Sequence, residues 1–340
     1  MQVNTDITDI MTITTKKKKN TYIGIVIIVI LVIALPGSLI YINQTKKKAN
    51  TKDSGSDYHE VTYQGKKYRY NSSVVSILLL GIDKTKKDKN RATSQGQSDA
   101  MEMLLLDRST KKLKLLTIPR DCMTPIESFD GSGESLGWDK NHINLAYAFG
   151  DDEESGCMHA MQAVSKMLYN VPISYYGAMD MDNLDALQNI VGDLKVKVPN
   201  NTLVKVEGWK KGDVITINAR NVEKYVRTRD TDVAFSNETR MERQRSYFQA
   251  YYEKLKVLLK KDFNGTVSKM YSLVEHVTTN ISYDNLETFG NYALDYSFDD
   301  GSYYTIPGHY VSSDLYDEYN LDQTALHKQV ITLYYQAEEN

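Results

Sequence analysis

Three apolar, strand-length runs in quick succession constrain this chain more than any other feature. They are VVSILLLGI at 74–82, AMEMLLLDR at 100–108 and KLKLLTIPR at 112–120. Runs that are nearly continuous in apolar residues are typical of strands buried on both faces of a sheet. Pro119 blocks extension of the third run, because proline cannot donate a ladder hydrogen bond. We therefore expect a central sheet that is covered on both sides.

Further elements interleave along the rest of the chain. Helical spacing of apolar residues is found at 142–150, 157–169, 182–191, 218–227, 238–261, 265–278, 284–295 and 323–337. Strands are predicted at 173–180, 194–198 and 302–306, and a hairpin at 61–70 with Gly65 and Lys66 at its turn. Strands that alternate with helices favour an α/β class with a central mixed sheet flanked by helices. No long linker divides residues 61–340, which are predicted to form one domain.

An uncharged stretch near the N-terminus predicts where that domain resides. Residues 22–42 read YIGIVIIVILVIALPGSLIYI. A helix of this length spans about 30 Å, the thickness of the hydrocarbon core, whereas the apolar core of a cleaved signal peptide is about 7–15 residues. Lysines flank both ends of this stretch, so the positive-inside rule only weakly favours a cytoplasmic N-terminus. The size of the folded part that follows the stretch favours the same orientation, with the domain outside. We expect a cytoplasmic tail at 1–21, one transmembrane helix at 22–42, a polar stalk at 43–60 and an extracellular domain.

Charge and cysteine content exclude several classes of protein. The net charge of −3 argues against a basic nucleic-acid-binding protein. Two cysteines exclude a disulfide-dense scaffold and a four-thiolate zinc site. Cys122 and Cys157 either pair or remain free thiols. The sequence contains no HExxH, Walker or GxGxxG motif.

The arginines are concentrated in one segment. Six of the ten lie between residues 220 and 245, namely Arg220, Arg227, Arg229, Arg240, Arg243 and Arg245. Solubility is served equally well by lysine, whereas the planar guanidinium group favours bidentate recognition of phosphate or carboxylate. The alternative is a solvated basic face paired with acidic neighbours such as Glu238 and Glu242.

Acidic residues and one further arginine stand at the ends of the apolar runs. Asp83 follows the first run, Asp99 precedes the second, and Arg120 and Asp121 follow the third. Each aspartate taken alone is also a common turn or cap residue. Two carboxylates without a His or Cys set indicate Mg²⁺, a cation that prefers oxygen ligands. Metal and arginine together suit phosphoryl transfer, which depends on positioning and charge neutralisation.

These residues fall within motifs that resemble the LytR-CpsA-Psr family of Gram-positive bacteria. The segments that carry the resemblance are ILLLGID (77–83), GQSDAMEMLLLD (96–107), KLLTIPRD (114–121), KNHINLAYAFGD (140–151), VSKMLYNVPISYYGAMDMDNLDAL (164–187) and YVRTRDTD…ETRMERQR (225–245). The resemblance implies a phosphotransferase that moves an anionic cell-wall glycopolymer, of the teichoic acid or capsular polysaccharide type, from a polyprenyl-pyrophosphate carrier to peptidoglycan. It also implies a mixed sheet flanked by helices and a requirement for Mg²⁺.

The resemblance also implies roles for individual residues. The metal is expected at Asp83 and Asp99. The pyrophosphate is expected to contact Arg120, Arg227, Arg229, Arg240, Arg243 and Gln244. Catalytic roles are expected for Arg120, Asp121, Arg227, Arg229 and Asp232.

The sequence departs from the family pattern at three positions. Gln97 stands where many members have an arginine, and Asn237 stands where many have an acid. Cys122 replaces a commoner threonine. Because Asn237 cannot accept a proton, Asp121 or Asp232 is the expected base.

Two other functions remain open at this point. The same site would serve a polyprenyl-pyrophosphate pyrophosphatase that uses water as the acceptor. A non-catalytic, membrane-anchored regulator that binds lipid or polyanion is the other. The presence of Asp83, Asp99 and Arg120 favours an enzyme.

Overall fold

A computed structural model of the chain describes residues 59–83, 96–130, 132–228, 236–312 and 317–338. The strands are β1 (Glu60–Tyr63), β2 (Lys66–Tyr70), β3 (Val74–Ile82), β4 (Ser98–Asp107), β5 (Lys112–Ile118), β6 (Met123–Phe129), β7 (Ser135–His142), β8 (Tyr175–Asp180), β9 (Leu194–Lys197), β10 (Val214–Ile217), β11 (Val277–Thr279), β12 (Tyr303–Thr305), β13 (Gly308–Ser312), β14 (Asp317–Leu321) and β15 (Tyr335–Ala337). The helices are α1 (Glu153–Met167), α2 (Leu184–Val191), α3 (Val204–Glu207), α4 (Val222–Arg227), α5 (Ser236–Lys261), α6 (Phe263–Tyr271), α7 (Tyr283–Asp295) and α8 (Gln323–Tyr334).

A six-stranded mixed sheet forms the centre, in the order β11-β8-β3-β4-β5-β12. β3 pairs with β8, and β5 with β12, in parallel, whereas the other neighbours are antiparallel. β4 is buried along its whole length and β3 almost so, as their apolar sequences predict. The predicted mixed α/β fold is confirmed.

Helices cover both faces of this sheet. Adjacent strand residues point to opposite faces. The Tyr175 ring packs against Phe289 of α7 with centroids 5.5 Å apart. Tyr176, the next residue of β8, lies within electrostatic reach of Cys157 and Glu154 of α1. α1 and α7 therefore cover opposite faces of the central sheet.

Local sequence sets several element ends. Asp152 caps α1 by accepting a hydrogen bond from the Ser155 amide, and Ser155 reciprocates in a capping box. The turn of the β1–β2 hairpin lies at Gln64 and Gly65, which have φ values of 50° and 75°. The prediction of Gly65 and Lys66 was wrong by one residue. Lys66 instead pairs with Tyr63 in the ladder.

Several short elements differ from the predictions. The β6–β7 hairpin was missed because β7 is largely exposed and lacks an alternating apolar pattern. The helix expected at 142–150 is two 3₁₀ turns, at Ile143–Leu145 and Tyr147–Phe149. The helix expected at 265–278 ends at Tyr271, because residues 277–279 pair with β8 as β11. Similarly, α8 ends at Tyr334 because β15 pairs with β2.

The predicted tail and membrane helix, and all but the last two residues of the predicted stalk, lie outside the described residues. Among the helices of the described ranges, none has both the length and the apolar character needed to cross a bilayer.

Candidate functional site

One edge of the central sheet gathers the predicted site residues. β3, β8 and β5 end at this edge and the antiparallel β4 begins there. Asp83 therefore follows β3 close to Asp180, the last residue of β8, and to Asp99, the second residue of β4. Arg120 reaches the same place from the segment after β5. The strand directions, rather than proximity in sequence, bring these groups together.

Arg120 and Asp99 form the central ion pair of the site. Arg120 Nη1 donates a hydrogen bond of 2.8 Å to Asp99 Oδ1. The side chain of Asp99 is only 3% exposed, so water screens this pair weakly. Arg120 Nε also lies 3.1 Å from Asp121 Oδ1, and His142 Nδ1 lies 3.8 Å from the same oxygen. Asp121 is thus placed to orient the Arg120 guanidinium group.

Asn144 ties the start of β4 to this ion pair. Its Nδ2 donates to Asp99 Oδ1 at 3.3 Å and to Gln97 Oε1 at 3.2 Å. Its carbonyl oxygen accepts a hydrogen bond from the Ser98 hydroxyl. Gln97, which stands where many family members have an arginine, thus contacts Asn144. Asn144 was not predicted as a site residue, although it lies within the segment KNHINLAYAFGD at 140–151.

Burial and neighbouring carboxylates raise the pKa of Asp83 to about 6. Burial is the largest cause and the charge of Asp99 follows, while Arg227 and Arg120 act in the opposite direction. Burial also raises the pKa of Asp121, against the opposing charge of Arg120. Each of these carboxyl groups would be stabilised as an anion by an added positive charge.

Arg227 approaches Asp83 from the end of α4. It is 7% exposed, and its Nη1 donates to Glu223 Oε1 at 2.6 Å and lies 4.0 Å from Asp182 Oδ1. Its Nε is buried and has no hydrogen-bond partner within the described chain. A buried guanidinium nitrogen without a partner is costly unless a ligand accepts from it. An anionic oxygen beside Asp83 and Arg120 would supply that acceptor.

Arg243 and Gln244 hold α4 in place. Arg243 is fully buried, and its Nε donates to the Tyr225 carbonyl oxygen at 2.9 Å. The other guanidinium nitrogens donate to the carbonyl oxygens of Thr228 and Thr239. Gln244 Nε2 donates to the Val226 carbonyl oxygen at 3.1 Å. These two side chains are thus engaged with backbone around Arg227, whereas they were expected at the pyrophosphate.

Of the remaining predicted site residues, Arg240 is buried on α5 and lies within electrostatic reach of Asp121. Arg229 and Asp232 lie outside the described residues, as does the side chain of Asn237. Cys122 and Cys157 are free and buried, so of the two alternatives the structure shows free thiols.

Asp83 and Asp99 fit a divalent cation that is shared with a phosphate ligand. In the described ranges, no group of three or more His, Cys, Asp and Glu side chains is arranged to hold a metal alone. Mg²⁺ in phosphate-handling sites commonly takes one or two carboxylates and completes its shell with water and phosphate oxygens. A cation between Asp83 and Asp99 would relieve the repulsion between their two charges. Both hydrogen bonds that the Asp99 carboxylate accepts within the described chain are made to Oδ1, so Oδ2 remains for such a cation.

The chain is similar to known proteins in sequence and in fold. It is 31% identical over 215 residues, 63% of each chain, to the polyisoprenyl-teichoic acid–peptidoglycan teichoic acid transferase TagU of Bacillus mycoides (strain KBAB4). This match thus spans less than two thirds of that relative's length. TagU of Bacillus subtilis (strain 168) is 29% identical over 285 residues, covering 80% of this chain and 81% of that protein.

A solved structure and a sequence profile extend the comparison. The crystal structure of B. subtilis TagV matches with a TM-score of 0.58 and 25% identity, covering 77% of this chain and 96% of that one. The profile of the LytR_cpsA_psr family matches residues 38–333. The sheet, the acidic edge and the arginine of the IPRD motif thus occur in a chain that belongs to the LytR_cpsA_psr family.

Proposed function

We propose that this chain transfers an anionic glycopolymer from a polyprenyl-pyrophosphate carrier to peptidoglycan. One observation carries the proposal: Arg120 and the partnerless Nε of buried Arg227 lie beside two carboxylates that repel each other. That combination suits a pyrophosphate bound together with a divalent cation. Family membership and the transferase names of the TagU relatives support the same function.

In this proposal, Asp83 and Asp99 hold Mg²⁺, which supplies charge neutralisation on the pyrophosphate. Arg120 and Arg227 bind the phosphate oxygens and stabilise charge on the leaving polyprenyl phosphate. Asp121 orients Arg120 through the 3.1 Å ion pair. Asn144 keeps Asp99 turned toward Arg120. Arg243 and Gln244 position α4, and with it Arg227.

A carboxylate must take the proton of the acceptor hydroxyl as its oxygen attacks the phosphorus nearer the sugar. Asp121 and Asp232 are the two candidates that the sequence provides. Because Asp121 lies in an ion pair with Arg120, we give it a positioning role. We therefore assign the base to Asp232, and the variants Asp121→Asn and Asp232→Asn separate the two roles. Asp232→Asn should abolish the increase in turnover that accompanies deprotonation of the base as the pH rises. Asp121→Asn should lower turnover but keep the shape of the pH profile.

The carrier is a lipid, so the site must work at a membrane surface. We propose that residues 22–42 anchor the chain once and place the domain on the outer side. Resistance to extraction at alkaline pH and digestion of residues after 60 by externally added protease would support this arrangement. Protection of the domain in intact cells would contradict it.

The catalytic proposal is tested by transfer of a lipid-pyrophosphate-linked glycopolymer to peptidoglycan in vitro. Alanine at Arg120 or Arg227 should lower turnover about a hundredfold, because a buried positive charge that stabilises the leaving group is lost. Arg220→Ala is the matched control, since Arg220 belongs to the same cluster but is exposed, and it should stay near wild type.

Unchanged turnover in both Arg120→Ala and Arg227→Ala would overturn the assignment. Polyprenyl phosphate that is released at the same rate without peptidoglycan would instead identify a pyrophosphatase. Binding of the donor without any turnover would identify a non-catalytic binding protein.

A further inference from the structure

A cavity lies on the α1 face of the central sheet, beside the cluster of Asp83, Asp99, Arg120 and Arg227. It has a volume of about 400 Å³, within the range of pockets that hold small organic ligands. Ile82, Ala178 and Asp180 form part of its wall. Ile82 pairs with Asp180 in the β3–β8 ladder, so this wall is the same sheet edge that carries Asp83.

Asp180 connects the cavity to the proposed donor site. Asp180 lines the cavity, and its Oδ1 accepts a hydrogen bond of 3.0 Å from the Asp182 amide. The same carboxylate raises the pKa of Asp83 and opposes the fall in the pKa of Arg227, so it lies within electrostatic reach of both. A ligand in the cavity would therefore sit next to a pyrophosphate held by Arg227.

Tyr147 is the feature that indicates a ligand. The residue lines the cavity and is 99% buried, with a relative exposure of 1%. No residue of the described chain makes a hydrogen bond with its hydroxyl, and this hydroxyl is not among the unpartnered atoms that are sealed from solvent, so it is open to the cavity. Gly156 of α1 packs tightly on Tyr147, since a Cβ there would lie 2.7 Å from the Tyr147 carbonyl oxygen and 3.1 Å from the ring. The Tyr147 ring is thus held rigidly beside the cavity.

The charge of the lining excludes two kinds of occupant. Glu153, Asp180 and Glu275 outnumber the one basic residue of the lining, His276, and would repel a phosphate or an acidic sugar. A lone metal ion is also a poor fit. The cavity is many times the volume of a water molecule, and no three of the described acidic or imidazole side chains are arranged around a metal position. Glu153 already accepts a hydrogen bond of 2.6 Å from the Thr278 hydroxyl.

The remaining lining suits a sugar ring. Ile82, Ala178 and Val277 offer apolar surface, while the Tyr147 hydroxyl and the Asn183 amide offer neutral hydrogen-bonding groups. A pyranose has the same combination of apolar faces and hydroxyl edges. We propose that this cavity is a subsite for a sugar without negative charge in the acceptor glycan, held by Tyr147 and Asn183. The proposal rests on the proposed transferase function, because the neighbouring site must hold the donor.

Binding to the full chain in detergent tests the subsite with two probes, a tetramer of N-acetylglucosamine and inorganic pyrophosphate with Mg²⁺. Tyr147→Phe should weaken the tetramer three- to tenfold, the value of about one neutral hydrogen bond, and leave pyrophosphate affinity unchanged. Asn183→Leu, a half-buried position, should act in the same direction. An acidic tetramer of galacturonate should bind more weakly than the neutral one to the wild type.

Tyr334→Phe is the matched control. Tyr334 is also fully buried, but it lies next to Asn71 near the opposite end of β3, so both affinities should equal those of the wild type. Tetramer affinity that is unchanged in Tyr147→Phe and Asn183→Leu would overturn the subsite. So would a wild type that binds pyrophosphate but no tetramer, or that prefers the acidic tetramer. Failure to bind pyrophosphate would instead count against the proposed function.

Discussion

Single residues in this site are tuned mainly by burial next to like charge. Asp83 stands near Asp99 and Asp180, and its carboxyl loses water on folding. Both effects favour the protonated form, which raises its pKa to about 6. For Arg227, burial disfavours the charged form and lowers its pKa, while the nearby carboxylates act in the opposite direction. Added cation and added phosphate would relieve both.

Mg²⁺ binding should therefore depend on pH through Asp83. Because a proton and the cation compete for this carboxylate, Mg²⁺ affinity should fall about tenfold per pH unit below about 6 and level off above it. Calorimetric titration with Mg²⁺ and pyrophosphate between pH 5 and 7.5 measures this. Asp83→Asn should abolish the dependence, and Asp185→Asn at an exposed position should preserve it. A flat profile in the wild type would remove Asp83 from the metal site.

Another buried carboxyl, that of Glu102, lies in the middle of β4 and has no role in the proposed site. Burial raises the pKa of Glu102 to about 8, against the hydrogen bond that it accepts from Thr117. Its Oε2 has no hydrogen-bond partner in the described chain. In the unfolded chain the pKa of Glu102 is near its ordinary value of 4.5, whereas in the folded chain burial raises this pKa to about 8. Folding stability that depends on Glu102 is therefore lost as the pH rises through this window.

Glu102→Gln should remove this loss. Relative to the wild type, the variant should gain about 1.4 kcal/mol of unfolding free energy per pH unit between about 5 and 8. Urea denaturation at several pH values measures the difference. Glu127→Gln on the half-exposed β6 is the control and should show no such trend. Parallel stability profiles for Glu102→Gln and the wild type would show that Glu102 ionises normally in the folded chain.

At the scale of elements, α4 and α5 depend on one another. The spacing of Arg240 and Arg243 predicted a shared helix face, and both side chains are buried. Their partners could not be predicted, because these depend on how α4 ends. Arg240 lies within reach of Asp121, whereas Arg243 satisfies carbonyl groups that the last turn of α4 leaves without helical partners.

Replacing Arg243 should therefore lower the stability of the folded chain more than it lowers pyrophosphate binding. Lysine cannot donate to several separated carbonyls at once, so Arg243→Lys should cost about 3 kcal/mol in the free energy of unfolding. Arg220→Lys, at an exposed position, should cost less than about 0.5 kcal/mol. Chemical denaturation and pyrophosphate binding should be measured together. A variant of normal stability that no longer binds pyrophosphate would make Arg243 a ligand contact.

At the scale of the whole molecule, the mixed sheet places the two proposed binding regions next to each other at one edge. α1 covers the face that carries Tyr176 and the cavity, and α7 covers the other face. The arginines arrive from α4 and from the segment after β5, and meet at the edge between these layers. A donor and an acceptor could thus approach the same edge from different sides.

The sequence by itself determined the central strands, because continuous apolar runs can be satisfied only inside a covered sheet. It also determined which charged residues stand at the strand ends, namely Asp83, Asp99 and Arg120. Only the tertiary structure decided the short strands such as β7 and β11, which form through pairing partners distant in sequence. It also decided that Arg243 positions α4 and that Tyr147 faces a cavity, because both depend on which groups packing leaves without hydrogen bonds.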